Sequence, residues 1–130
     1  MRIAVVGDLE DLSNAYFAWV AKERGAEVVE LAEDRLGEAW SFRLEDGGGR
    51  LEIGGEPLPF EALDGAFVRL NPAPALPEAL AGLPDDLARS FTLERRYGLH
   101  HLLDALPCPV VNRPSAGRSN SSKPFQMGLL

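Results

Sequence analysis

Residues 1–32 read MRIAVVGDLEDLSNAYFAWVAKERGAEVVELA, and the order of patterns within them decides the fold class. Arg2 to Val6 is a short apolar run rich in β-branched residues that ends at Gly7-Asp8. A strand without polar alternation is buried on both faces, as the central strands of parallel sheets are. Asp11 or Ser13 can accept the first free amide hydrogens of a helix that runs to about Arg24. Leu12, Tyr16, Trp19 and Val20 follow at i, i+4, i+7 and i+8, with Glu23 on the same side. That stripe is expected to pack on the sheet. Gly25 suits the helix stop. Glu27 to Ala32 then makes a second strand, with Val28, Val29 and Leu31 turned wholly or half inward. Strand, helix and strand in about thirty residues form a right-handed βαβ unit.

Beyond Glu33 the period changes from that of buried strands to strict alternation. Trp40, Phe42 and Leu44 alternate with Ser41, Arg43 and Glu45, and Leu51 and Ile53 alternate with Arg50 and Glu52 across Asp46-Gly47-Gly48-Gly49. This predicts a β-hairpin with one wet face, inserted into the α/β pattern or extending the sheet edge. Gly54-Gly55, Pro57 and Pro59 close it, and Phe60 to Leu63 can form one helical turn. Ala66 to Leu70 is another buried strand, with Arg69 an unusual charge near its carboxyl end. A Pro/Ala-rich loop, Pro72 to Pro84, precedes a long helix over Asp85 to Leu106 with Leu87, Phe91, Leu99, Leu102, Leu103 and Leu106 as its apolar positions. Pro107 and Pro109 stop the helix, and Pro109 to Asn112 is a last short strand. The alternation argues a single three-layer α/β domain, an open, mostly parallel Rossmann-like sheet with a hairpin insertion.

Twenty acidic against 13 basic side chains give a formal charge of −7. An acidic surface argues against general attraction to nucleic acid or anionic membranes. No apolar run is long enough for a membrane helix, and the N-terminus meets Gly7 and Asp8 too early for a signal peptide. A cytoplasmic protein is expected. The single cysteine, Cys108, lies among Leu106, Pro107, Pro109 and Val110 and is expected to be buried and inert rather than half of a thiol–histidine dyad. His100 and His101 are adjacent on a helix, about 100° apart, so they cannot share one metal well. They read as surface or half-buried, and Trp19 and Trp40 as core or hairpin-packing residues. No metal site and no catalytic residue are expected in this chain.

Ligands of open parallel sheets bind beyond the carboxyl ends of the strands. Three such ends are polar here: Gly7-Asp8, Arg69-Leu70-Asn71 and Asn112-Arg113. Parallel neighbours would bring them to one rim, where Arg69 and Arg113 could hold a carboxylate or phosphate with forked hydrogen bonds. The alternative for Arg69 is an ion pair with Asp8 that ties two loops together. Gly7 is not a dinucleotide fingerprint, since Gly7-Asp8-Leu9-Glu10-Asp11 lacks the further glycines and sets acids where a pyrophosphate would sit.

The end of the chain, Val110 to Leu130, reads VVNRPSAGRSNSSKPFQMGLL. Arg113, Arg118 and Lys123 occur there with serines, Asn120 and no acid, ahead of Pro124, a favoured first helical residue. The order of strand, Asn112-Arg113-Pro114, polar loop, Ser122-Lys123 and helix with Gln126 resembles the junction into the ATP-grasp fold. The nearest branch is the glutathione-synthetase-like and ribosomal-protein glutamate-ligase-like enzymes, whose N-terminal, pre-ATP-grasp domain is a small open α/β sheet. Arg69-Leu70-Asn71-Pro72 is similar to the arginine-bearing strand of that domain. The resemblance implies joining of a carboxylate to an amine with ATP and Mg²⁺ through an acyl phosphate, on small-molecule or peptide substrates. It implies Lys123 as the nucleotide-binding residue and Arg69, Asn112 and Arg113 as substrate-binding ones, to which the strand-end position of Asp8 adds a fourth substrate-binding candidate. Ser122 stands where the family has an acid, and Pro124 directly follows the lysine. By this resemblance residues 1–113 are the pre-ATP-grasp domain, and residues 114–130 are a linker and first helix leading into an ATP-grasp module absent from this chain. Such a piece is expected to be inactive alone, to bind no nucleotide tightly, and to self-associate through its apolar tail. The alternative is a stand-alone, non-enzymatic domain that binds a small ligand or a protein.

Overall fold

The structure, a computed structural model, describes residues 1–71 and 81–112. Residues 72–80, most of the expected Pro/Ala loop, and residues 113–130, with Arg113 and Lys123, lie outside the described residues. The elements are β1 (Arg2–Gly7), α1 (Leu12–Glu23), β2 (Glu27–Ala32), β3 (Trp40–Glu45), β4 (Gly48–Ile53), β5 (Glu56–Pro59), β6 (Gly65–Arg69), α2 (Asp85–Ala105) and β7 (Val110–Val111). Single 3-10 turns follow β2 (Glu33–Arg35) and β5 (Phe60–Ala62).

A parallel sheet in the order β2-β1-β6-β7 forms the middle layer. β1 lies at its centre, which is why Ala4, Val5 and Val6 are all inaccessible to solvent. Successive side chains point to opposite faces. Phe67 meets α1, where Phe17 stacks on it with ring centroids 4.3 Å apart. Ala4, Val6, Ala66 and Val68 face the main core, completed by Leu99, Leu102, Leu103 and Leu106 from α2 and its end and by Trp40, Leu51 and Phe60. The three layers are therefore α1, the parallel sheet, and α2 with a second, antiparallel sheet.

That second sheet has three strands in the order β3-β4-β5 and stands apart from the first, so the predicted hairpin is an insertion and has one strand more than expected. β5 carries Pro57 and Pro59, which lack an amide hydrogen. An edge strand tolerates them, and β5 pairs on one side only, with β4. Gly49 of β4 leaves room for the turn after β5: a Cβ there would sit 2.6 Å from the ring of the fully buried Phe60. Trp40, 3% exposed, donates its indole N–H to the Ala32 carbonyl at 2.7 Å and ties the insertion to the end of β2.

The face of α1 differs from the sequence expectation. Leu12, Tyr16 and Trp19 are 85%, 67% and 59% exposed, and Asn14, Ala18 and Ala21 are buried instead. Trp19 is thus not a core residue. Both stripes have helical spacing, and size misleads in choosing between them. The helix is held close to the sheet by Asn14, whose side-chain amide donates to the carbonyls of Asp8 (2.7 Å) and Arg69 (3.0 Å). At that distance alanines fit and a row of Leu, Tyr and Trp does not.

Cys108 is buried, His100 is half-buried and His101 is exposed, as their sequence settings imply. No helix among the described residues is long and apolar enough to cross a membrane.

Candidate functional site at the carboxyl ends of the strands

α2 changes character along its length. Leu99, Leu102 and Leu103 are buried against the sheet. One and two turns earlier, on the same side of the helix, stand Thr92, Arg95 and Arg96, while Leu87 and Phe91 are 48% and 41% exposed. The first half of α2 therefore runs past the carboxyl ends of the strands. Beneath it opens a cleft of about 370 Å³, with Thr92, Arg95, Arg96 and Leu99 as its roof. Its floor comes from three strand ends: Asp8, Leu9 and Glu10 after β1, Glu33, Asp34 and Arg35 after β2, and Asn71 after β6. A second hollow, lined by Asp8, Asp11, Arg69, Leu70 and Asn71, shares Asp8 and Asn71 with the first.

The chain leaves β1 for β2 on one side and later adds β6 on the other, so the carboxyl ends of β1 and β6 mark the point where the winding reverses. Crevices form at such points. Gly7 permits the close approach there: its φ is 137°, and a Cβ would lie 2.0 Å from the Arg69 carbonyl oxygen. Asn14, fully buried, bridges the two strand ends through the bonds given above.

Glu33 is the anchor of the cleft. Only 7% exposed, it accepts the Asn71 backbone N–H at 2.7 Å and pairs with Arg96 at 3.2 Å, while its own carbonyl accepts from Arg95 Nη2 at 2.9 Å. Arg96 also donates to the Asn71 carbonyl. Four residues from three elements are thereby locked together. Burial pushes the Glu33 carboxyl above the usual range, and the nearby charges of Asp8 and Asp34 add to the effect; the Asn71 N–H and Arg96 oppose it without cancelling it.

Asp11 behaves oppositely. Partial desolvation disfavours its charge, but the Asn14 and Ser13 amides that it caps, together with the Arg69 guanidinium, outweigh this and hold its pKa below the ordinary value. Arg69 meets Asp11 at 3.2 Å, not the Asp8 that the sequence offered as partner. Asp8 instead accepts the Glu10 N–H at 2.9 Å and lies 3.5 Å from the Asn71 side-chain amide.

The predicted rim is thus partly assembled. Asp8 and Arg69 share the smaller hollow, and Asp8 also lines the larger cleft. Asn112 lines neither. β7 pairs only through Val110 and Val111 with Ala66 and Phe67, and Asn112 turns away at φ 65° before reaching the level of Arg69. Arg113 and Lys123 lie outside the described residues. Glu33, Asn71, Arg95 and Arg96 were not singled out from sequence as site residues. For Asn71 the signal was its polar strand end, and for the two arginines it was helical phase: Arg95 and Arg96 sit on the line of Leu99, Leu102 and Leu103, a stripe that should be apolar if it covered the sheet throughout.

The fold has solved counterparts. A ligase from Chryseobacterium gregarium, a RiPP-associated ATP-grasp enzyme in complex with ADP and a leader and core peptide, superposes with a TM-score of 0.75 at 17% identity, over 98% of this chain and 40% of that one. The ATP-grasp ligase PsnB, complexed with a phosphomimetic variant of its minimal precursor, Mg and ADP, gives 0.71 at 24% identity over 98% and 42%. The macrocyclase MdnC from Microcystis aeruginosa, bound with precursor peptide MdnA, gives 0.65 at 18% identity over 83% and 36%. The chain spans about two fifths of the length of these structures. It has a fold that occurs within ATP-grasp ligases of peptide maturation, in accord with the resemblance of its sequence. No family model matches the sequence, and no curated protein does.

Proposed function

We propose that this chain is the substrate-side, pre-ATP-grasp domain of an ATP-dependent carboxylate–amine ligase, acting on a peptide. The observation that carries this reading is the superposition of 98% of the chain on a peptide-bound ATP-grasp ligase, together with a polar cleft at the reversal point of the sheet. The domain's part is to bind and orient one substrate at the strand ends, with Asp8 and Arg69 from the sequence-based set and Glu33, Asn71, Arg95 and Arg96 from the structure.

The nucleotide does not fit the described rim. Asp8, Glu10 and Asp11 would face its phosphates with like charge, and no group of three metal-ligating side chains stands together among the described residues. ATP would supply the phosphoryl group that activates the carboxylate, with Mg²⁺ offsetting the phosphate charge; Lys123 would approach the phosphates and an ATP-grasp module would hold the rest, and no step is routed through the rim. The 130-residue piece alone is expected to show no ATP turnover.

The test uses the chain together with the coding sequence that follows Leu130 in its gene, incubated with ATP, Mg²⁺ and candidate peptides from neighbouring genes. ADP release coupled to loss of one water from the joined substrates supports the reading, and Lys123→Ala should abolish it. A gene that ends at Leu130, or ATP turnover by the 130-residue chain alone, would refute it.

A further inference from the structure

The charges around the larger cleft do not cancel, and their arrangement points to a ligand class. Glu33 is consumed by Arg96, and Arg35 is turned to Glu38 at 3.4 Å. What remains on the floor is Asp8, Glu10 and Asp34, and no cation pairs with any of them among the described residues. Arg95 remains in the roof. It spends one Nη2 on the Glu33 carbonyl and has no carboxylate partner among the described residues. The cleft therefore has an anionic wall and a cationic roof separated by a space of about 370 Å³, near the small end of ligand-sized cavities.

Internal pairing of these groups would have been the ordinary outcome for charges so placed. Arg95 is held away from the carboxylates of Asp8, Glu10 and Asp34 by its bond to the Glu33 carbonyl, and Glu33 is itself fixed by Asn71 and Arg96. Asp8 is held by the Glu10 N–H, which occupies one carboxylate oxygen and leaves the other within reach of Asn71. Both walls are thus pre-organised but unpaired with each other, which suits a guest that brings the complementary charges.

We propose that the cleft receives a ligand carrying an ammonium or guanidinium group beside a carboxylate: the cation on Asp8, with Glu10 and Asp34 adding negative potential from further along the wall, and the carboxylate on Arg95. An amino acid and a peptide segment with adjacent basic and acidic side chains share this chemistry. The inference rests on the proposed ligase reading only in taking that ligand as the amine-bearing substrate; the binding itself needs neither ATP nor the remainder of an enzyme.

The test is an amide-resolved NMR titration of the 130-residue chain with three probes: free L-lysine, the capped dipeptide acetyl-Lys-Glu-amide, and glutarate as a carboxylate without a cation. Binding of either lysine probe is expected to shift resonances around Asp8 and Arg95, and to weaken about tenfold or more in Asp8→Asn and in Arg95→Gln. Asp8→Asn keeps an oxygen for the Glu10 N–H, so an unchanged spectrum away from the cleft certifies the fold. Which lysine probe binds tells an amino-acid ligand from a peptide one. Glutarate binding as tightly as the lysine probes, undiminished binding in Asp8→Asn, or no shift with any probe up to about 20 mM would overturn the proposal. Peptide-dependent ATP turnover by the longer gene product in that last case would leave the ligase reading standing and this inference refuted.

Discussion

Arg96→Met should destabilise the domain strongly at neutral pH and weakly in mild acid. Arg96 pairs with a Glu33 that is 7% exposed, and it also donates to the Asn71 carbonyl. Removing one partner of a buried pair costs about 3–5 kcal/mol because the other charge is stranded. The Arg96 side chain is 21% exposed, and the Asn71 N–H still serves Glu33, so about 2–4 kcal/mol is the working figure. For a domain of this size that is a fall of roughly 10 °C in Tm. The pH dependence follows from the raised pKa of Glu33. A carboxyl with a raised folded pKa binds its proton more tightly in the native state, so its unfavourable contribution is complete above that pKa and vanishes as pH falls toward the unfolded value. Without Arg96 the folded pKa rises further, and protonation then relieves the stranded charge. Urea melts followed by circular dichroism at about pH 7.5 and about pH 5 should show the loss shrinking to about 1 kcal/mol at the lower pH. An equal loss at both pH values, or a loss under about 0.5 kcal/mol at neutral pH, would refute the stranded-charge reasoning.

On α1, the triple change Leu12→Ser, Tyr16→Ser, Trp19→Ser should leave stability within about 1 kcal/mol by denaturant melts, because those side chains are exposed, whereas Phe17→Ala should cost about 2 kcal/mol for its stack on Phe67. A larger loss from the triple change would restore the face predicted from sequence. Gly7→Ala should prevent or cripple folding, since its Cβ would meet the Arg69 carbonyl oxygen at 2.0 Å; a soluble variant with an unchanged amide spectrum would contradict the close approach. Asp11→Ala should destabilise at neutral pH. The depressed pKa of Asp11 makes its contribution present above the unfolded carboxyl pKa and lost as pH falls through the lower folded value, so the difference between variant and wild type should vanish in strong acid. A difference that persists below about pH 2 would show that charge is not its source.

The strands other than β5 were legible in the sequence because their burial leaves a local mark: Ala4, Val5 and Val6 in succession do not alternate, and β3 and β4 alternate strictly, whereas β5, with Pro57 and Pro59, read only as the close of the hairpin. α1 was legible as a helix but not in its orientation, because Leu12-Tyr16-Trp19 and Asn14-Ala18-Ala21 are equally periodic and only the second fits against a sheet approached closely enough for Asn14 to reach two carbonyls. The site was least legible. Asp8, Glu33, Asn71 and Arg96 are separated by tens of residues; Asp8 and Asn71 were marked by their strand ends, but Glu33 and Arg96 each alone read as a solvated charge. What joins them is topology. The parallel order β2-β1-β6 sets three strand ends side by side, and a helix longer than the sheet must overhang them. The overhang had a signature, a stripe that is leucine over Leu99 to Leu106 and threonine and arginine over Thr92 to Arg96. A helix that changes from apolar to charged along one unbroken line covers a core at one end and a cavity at the other. Here that change falls within one turn of the cleft, and the arginines on its polar side divide the work: Arg96 closes the floor upon Glu33, and Arg95 stays open toward the space.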